Sequence, residues 1–354
     1  MDKEVIIVTG SCGRIGTNVA KVLGNDYRII GFELLKAIYA SCNEELVPVD
    51  LSSDESVVQA FTHVKSFYGT KIASVIHLAA YYSFDQKHSP LYEKVTVKGT
   101  ERLLKALKDF EVEQFLFSST MLVHAPCRPG EKITEDSPVA PKWDYPLSKV
   151  HTEKVIHEFR GKTSTVILRI AGVYDDNCHS IPISHQIQRI YEKSFESRLF
   201  SGNIHHGASF IHMEDLVEAI ALAVQKRKTL PSELVLLLGE PSTMSYDQLQ
   251  RAISYLLFQK EFRTICVPKS IAKLGAWLQK ITPFLPKSFI KPWMIDLADD
   301  HYEIDISKAQ KSLGWTPKHS IEKTLPIMID KLKQDPEKWY KANQLKLPKF
   351  LKHG

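Results

Sequence analysis

The run Thr9-Gly-Ser-Cys-Gly-Arg-Ile-Gly16 lies between the apolar stretch Val5–Val8 and the amphipathic stretch Ile15–Leu23, and nothing else in the chain constrains its fold as tightly. Glycines in that setting build a strand, a tight turn and a helix whose first turn offers backbone N–H groups to an anion. Gly10 permits the turn, Gly13 lets the backbone approach phosphates, and Gly16 lets helix and strand pack closely. A glycine string in isolation is a weak signal. Between a strand and a helix it reads as a dinucleotide site.

The rest of the first half repeats the strand–helix theme. Strands are expected at Tyr27–Phe32, Glu45–Val49, Ser74–Leu78, Gln114–Ser118 and Thr165–Ile170, and helices at Asp54–Phe67, Leu91–Phe110 and Tyr145–Phe159. That alternation implies a Rossmann-type α/β fold, a doubly wound parallel sheet covered on both faces. Ligands on such sheets bind beyond the carboxyl ends of the strands. Gly10, Glu33, Asp50, Leu78 and Ser118 all fall there. After Gly172 the pattern weakens, with helices near Ser184–Ser194, Glu214–Lys226, Tyr246–Leu257 and Ile321–Lys333 and a strand at Glu233–Leu238. The division expected is a sheet domain from 1–172 and 208–240 and a smaller, discontinuous substrate domain from 173–207 and 241–335. A basic surface arm over 336–354 completes it.

A chain of 354 residues, 44% hydrophobic and 25% charged, can bury a large core and reads as a soluble globular protein. Its net charge of +5 is modest and the acids are spread through the first 250 positions, which speaks against a nucleic-acid partner. The five cysteines, Cys12, Cys42, Cys127, Cys178 and Cys266, are scattered without a C-x-x-C pair. That favours a reducing compartment over a disulfide framework or a zinc site. No signal peptide or membrane-spanning run is visible, so a cytoplasmic location is expected.

Glu33 ends the second strand, where a carboxylate would grip ribose hydroxyls and repel a 2′-phosphate, so NAD is favoured over NADP. Asp50-Leu51 suits the adenine, although Asp50 also reads as a helix N-cap. Tyr145 and Lys149 lie one turn apart on one helix face, downstream of Thr120 at a strand end. Such a set offers a proton donor and acceptor beside a carbon that exchanges hydride.

These residues resemble the extended short-chain dehydrogenase/reductase family, the NAD-dependent epimerase/dehydratase group. The resemblance extends over His77-Leu78-Ala79-Ala80, Gly99-Thr100, Ser118-Ser119-Thr120, Leu168-Arg169, Phe210-Ile-His-Met-Glu-Asp-Leu216, Asp305-Ile-Ser-Lys-Ala309 and Leu313-Gly-Trp-Thr-Pro317. It implies NAD held by Gly10, Cys12, Gly13, Arg14, Ile15, Gly16, Glu33, Asp50, Leu51, Leu78, Ala79, Ala80, Ser118, Tyr145 and Lys149. It also implies catalysis by Thr120, Tyr145 and Lys149. The Lys149 ammonium and the cofactor's positive ring would lower the Tyr145 phenol pKa from about 10 towards neutrality, and Thr120 would bind the same substrate oxygen. A homodimer through the Leu91–Phe110 and Tyr145–Phe159 helices follows by the same analogy.

Three departures from the family pattern narrow the activity. Thr96 stands where relatives usually carry Asn. Met121-Leu122 replace the Asp-Glu pair of the sugar dehydratases, which disfavours dehydration. Ala208, in Gly202-Asn-Ile-His-His-Gly-Ala-Ser209, replaces an arginine that clamps diphosphates, leaving His205 and His206 as candidates for phosphate or a substrate hydroxyl. The stretch Pro268–Trp293 mixes Trp277, Phe284, Phe289 and Trp293 with five lysines and no acid, which suits a lid, a lipophilic pocket mouth or peripheral contact with a membrane. The readings left open are a nucleotide-sugar epimerase, a dehydrogenase of a sterol-like alcohol, and a non-catalytic NAD-binding regulator.

Overall fold

The computed structural model describes residues 3–34, 45–83, 88–274 and 292–351. Its longer strands, from the N-terminus, are β1 (Val5–Thr9), β2 (Arg28–Glu33), β3 (Glu45–Pro48), β4 (Ser74–His77), β5 (Gln114–Thr120), β6 (Ser164–Ile170), β7 (Gly172–Tyr174), β8 (Phe210–His212) and β9 (Glu233–Leu238). A seven-stranded parallel sheet runs in the order β9-β6-β5-β4-β1-β2-β3, while β7 and β8 pair with each other apart from it. The chain winds outward from β1 in both directions. The crevice between β1 and β4 is therefore the switch point at which ligands bind.

The main helices are α1 (Arg14–Leu23), α2 (Asp54–Tyr68), α3 (Lys98–Ala106), α4 (Asp144–Phe159), α5 (Ile181–Tyr191), α6 (Met213–Gln225), α7 (Tyr246–Phe258), α8 (Ser307–Leu313), α9 (Ile321–Gln334) and α10 (Pro336–Ala342). Alternation along β1 sends Ile6 and Val8 to one face and Val5 and Ile7 to the other. The first pair packs with Val19 and Leu23 of α1 and Leu216 and Ile220 of α6. The second packs with Val57, Phe61 and Val64 of α2 and Leu103 of α3. Each such buried side chain contributes about 1.5–3 kcal/mol of transfer free energy, which fixes the register of every strand. A third cluster unites Ile183, Ile187 and Ile190 of α5, Leu249 and Ile253 of α7 and Leu325, Met328 and Ile329 of α9.

Helix α5 starts three residues before the expected position because Pro182 sits in its first turn, where a missing N–H costs nothing. The long helix expected from Leu91 opens instead as a wide π-helical segment, Tyr92–Val97, before becoming α3. The basic arm is not a free surface arm over its first residues. Pro336–Ala342 form α10, and its Trp339 and Tyr340 are buried in the third cluster. The family motifs near 215 and 315 meet directly. Trp315 is buried and its indole N–H donates to the Asp215 carbonyl at 3.0 Å, while the Asp215 carboxylate accepts the amides of Lys318 and His319. Within Pro268–Trp293, positions 275–291 lie outside the described residues, Trp277, Phe284 and Phe289 among them. Lys269 and Lys273 pair with Asp299 and Asp296. Among the described residues no helix is long and apolar enough to cross a membrane.

Candidate active site

The turn between β1 and α1 has the conformation its glycines predict. Gly10 has φ +71°, and a Cβ there would stand 3.0 Å from the Ala79 amide nitrogen, so the chain after β4 passes hard against it. A Cβ on Gly16 would lie 2.2 Å from the Gly10 carbonyl oxygen, closer than any side chain tolerates. Gly13 caps α1, whose first turn contains no acid, so the positive end of the helix faces the crevice unneutralised. Glu33 accepts the Cys12 amide at 3.1 Å, which fixes its carboxylate beside the turn. Asp50 does not cap α2. Ser53 does, and Asp50 accepts the Ser52 amide at 2.8 Å in a local turn, exposed at the end of β3. Leu51 is buried, and α3 approaches it so closely that a Cβ on Gly99 would lie 3.0 Å from the Leu51 Cβ. Partly buried Leu78, Ala79 and Ala80 and buried Ser118 line the strand ends across from the turn. This cradle fits a dinucleotide: small residues where phosphates must come close, the positive end of α1 with Arg14 at its first position, and one carboxylate for a ribose.

A chain of hydrogen bonds runs beneath it. The Ala79 amide donates to the Thr9 hydroxyl, Thr9 pairs with His77 Nδ1 at 2.7 Å, His77 Nε2 pairs with Thr100 at 2.8 Å, and Thr100 donates to the Thr96 carbonyl at 2.6 Å. With the Thr100 proton spent on Thr96, the His77 Nε2–H is the donor and Nδ1 accepts from Thr9. Burial pushes the His77 pKa down to about 3, so the ring is neutral. The Thr96 hydroxyl accepts the Tyr81 amide at 3.0 Å. Thr96 thus serves the scaffold.

Thr120 ends β5 and Tyr145 and Lys149 ride on α4, so the three expected catalytic groups converge at the crevice. The Thr120 hydroxyl hydrogen-bonds the Tyr145 phenol, Lys149 Nζ donates to the Ser118 carbonyl at 2.7 Å, and that Nζ lies 5.8 Å from the Tyr145 ring centre. The protonation of the pair differs from expectation. Burial raises the phenol pKa well above its ordinary value, with Tyr82 adding to the rise and Thr120 opposing it. Burial also pushes Lys149 down to about 7, with the Glu153 carboxylate opposing. Within the protein alone, then, the lysine does not pull the phenol towards neutrality; both groups prefer to be uncharged in a dry site.

Sequence reasoning missed two groups here. Tyr82, from the segment after β4, sets its ring edge-to-face on Tyr145 at 5.0 Å. Glu153 continues the Tyr145–Lys149 spacing by another four residues, and it binds Arg169 through two hydrogen bonds of 3.2 and 2.7 Å. Arg169 also donates to the Glu135 carbonyl and to His124, and Ser119 donates to Glu153 at 2.5 Å. The four-residue repeat was the available signal for Glu153. Met121 and Leu122 occupy the short turn after Thr120, with Met121 buried, so no acid stands there. His206 is not a free phosphate donor: its Nδ1 donates to the Asp299 carbonyl at 2.6 Å and its Nε2 faces the Asn203 amide at 3.2 Å.

Elsewhere among the described residues His212, Glu214 and His319 gather. The two imidazoles stack with centres 4.0 Å apart and planes 20° from parallel, so their lone pairs run side by side and do not converge on one ion. His212 caps α6 by accepting the Glu214 amide.

Similar proteins carry the same plan. A 3 beta-hydroxysteroid dehydrogenase type 7 of Mus musculus is 24% identical over 360 residues, spanning 90% of this chain and 93% of that protein. A UDP-glucose 4-epimerase of Vibrio cholerae is 26% identical over 338 residues, spanning 90% and 92%. Among solved structures, the UDP-glucuronic acid 4-epimerase of Bacillus cereus, in complex with UDP-glucuronic acid and NAD, superposes with a TM-score of 0.69 at 19% identity over 93% of this chain and 99% of that one. Residues 6–239 match the family model described as the NAD dependent epimerase/dehydratase family. That span runs from the first strand of the cradle through α4 to the last strand of the sheet, and the chain is accordingly an NAD-dependent enzyme of the epimerase/dehydratase family within the extended short-chain dehydrogenases.

Proposed function

We propose that the protein epimerises a nucleotide sugar at a secondary carbinol carbon. The carrying observation is the pairing of the Thr120 hydroxyl with the Tyr145 phenol, one helical turn from Lys149, at the sheet's switch point. The similar proteins with known sugar substrates, such as the UDP-glucose 4-epimerase of Thermotoga maritima with UDP-glucose (TM-score 0.69), support the substrate class.

NAD, held by the glycine turn and Glu33, supplies the hydride acceptor and donor. Tyr145 can act as base only as the phenolate, which the positive ring of the bound cofactor would favour against the burial that raises its pKa; in that form it takes the proton from the substrate hydroxyl as the carbonyl forms, and returns it when the carbinol is rebuilt. Thr120 holds the same oxygen and sets its approach. Lys149, tied to the Ser118 carbonyl, keeps α4 on the end of β5 and is placed to bind the cofactor's ribose. Epimerisation demands that one carbon lose and regain hydrogen on opposite faces, so Tyr145 must act as base and acid within one turnover. Met121 and Leu122 supply no acid for eliminating water, so dehydration does not compete.

A second reading has its own observation. Ala208 stands where a diphosphate clamp would need a cation and forms a β-bridge with Tyr302, and His206 is committed within its loop. A lipophilic alcohol needs no such clamp. Purified protein, supplied with NAD and offered UDP-, GDP- and dTDP-sugars and steroid alcohols, separates the two. Interconversion of sugar epimers without net NADH supports the first reading, and NADH released on a steroid alcohol overturns it. We further propose a homodimer through α3 and α4 and a cytoplasmic location, which suits cysteines that form no disulfide among the described residues. A monomeric mass in sedimentation at micromolar concentration would overturn the dimer.

A further inference from the structure

Arg14 opens α1 at the point where the helix end faces the crevice, yet its guanidinium is already engaged. Its Nη2 donates to Asp175 Oδ2 at 3.0 Å and its Nη1 to the His179 carbonyl at 2.6 Å. Both partners belong to the loop between β7 and α5, 161 and 165 residues away in sequence. Asp175 is also bound by His179 Nδ1 at 2.6 Å and by the Asn177 amide at 2.8 Å. Burial works against its charge, but His179, Arg14 and that amide outweigh it and hold the carboxyl below its ordinary range. The loop is wound tightly. Cys178 and His179 both take positive φ, 78° and 39°, a conformation unfavourable for non-glycine residues and kept only where surrounding bonds enforce it. On its far side Asn343, just after α10, accepts the His179 amide at 2.8 Å and donates to the Asn177 carbonyl at 2.9 Å. Cys178 is fully buried beneath.

We propose that Asp175 and the dinucleotide's pyrophosphate compete for Arg14, so that cofactor binding unlatches the 175–180 loop from the glycine turn. A pyrophosphate carries more negative charge than one carboxylate and sits on the axis of α1, where the helix end adds to the attraction. Arg14 therefore leaves Asp175 when the cofactor arrives. The loop then keeps its bonds to Asn343 on the far side but loses the tie to the glycine turn. The inference rests on NAD binding at the glycine turn and adds a coupled loosening of this loop to it.

The test uses the full chain and two readouts that need no substrate: NAD affinity by titration calorimetry, and the rate at which N-ethylmaleimide labels Cys178, followed by peptide mass spectrometry. Asp175→Asn keeps the size and the local turn but removes the competing charge, and NAD should bind about three- to fivefold more tightly, the worth of a partly exposed ion pair. Cys178 should label faster in wild-type protein when NAD is added, and fast without NAD in Asp175→Asn. Arg14→Gln should weaken NAD binding about tenfold and leave labelling fast and indifferent to NAD. NAD binding by Asp175→Asn that is unchanged or weaker overturns the competition, as does Cys178 labelling that NAD slows or leaves alone. Wild-type protein that binds no NAD overturns the cofactor site itself, which is a separate failure.

Discussion

Glu153 and Arg169 form the most consequential ion pair near the active site, and replacing Glu153 by Gln tests what it does. Their side chains are 14% and 9% exposed and joined by two hydrogen bonds, so neither charge has much water to fall back on. Removing one partner of such a pair costs about 3–5 kcal/mol, because the remaining charge stays buried. The Gln carbonyl can still accept from Ser119 or Arg169 and recovers about 1 kcal/mol, leaving a net loss of roughly 2–4 kcal/mol. With a usual unfolding entropy of about 2 cal/mol/K per residue, a chain this long should lose roughly 3–5 °C in thermal midpoint. Circular dichroism melts of Glu153→Gln, Arg169→Met and the double variant provide the assay. The double variant should be less damaged than the sum of the two by about 2 kcal/mol, since removing both charges removes the stranded one. A single-variant loss under about 0.5 kcal/mol, or strict additivity, would refute the reasoning.

Gly16→Ala should abolish measurable NAD binding while the chain stays folded, because its methyl group meets the Gly10 carbonyl oxygen and spreads the turn; calorimetric titration reads this, and near-normal affinity would count against the cradle. Glu33→Gln should weaken NAD about tenfold and narrow its preference over NADP, read from the ratio of the two dissociation constants. The unfolded chain keeps the Lys149 proton to about 10.5, but the folded protein gives it up near 7, so between those values the unfolded state binds more protons and stability rises with pH. Wild-type stability relative to Lys149→Met should therefore improve by up to about 2.7 kcal/mol between about pH 7 and about pH 9 in urea unfolding. A difference that ignores pH would show the amine to be solvated.

What was legible in the sequence was local. The glycine turn could be read because strand, turn and helix are contiguous and each glycine has one steric reason. Tyr145 and Lys149 could be read because helical spacing puts them on one face. What escaped depends on contacts between distant segments or on depth. Arg14 was expected only as a cofactor contact at the helix start, and the folded chain brings Asp175 to it. Arg169 carried a family motif but no visible partner, since Glu153 reaches it from a different element. In the protein without its cofactor Tyr145 shifts opposite to the direction expected with the dinucleotide's positive ring beside it, because burial dominates and sequence does not show how dry the site is. Trp339 and Tyr340 were passed over because the lysines around them dominate the composition of that stretch.

The central claim is that the Tyr145 phenol passes a proton at a carbon exchanging hydride with NAD in the crevice above the glycine turn. The direct measurement is epimer interconversion of a UDP-hexose by wild-type and Tyr145→Phe protein, each first shown to bind NAD equally. The account predicts interconversion by the wild type, with no net change in nicotinamide absorbance, and a loss of at least a thousandfold in the variant, about 4 kcal/mol of transition-state stabilisation. A Tyr145→Phe protein that keeps its NAD and turns over at the wild-type rate would contradict it.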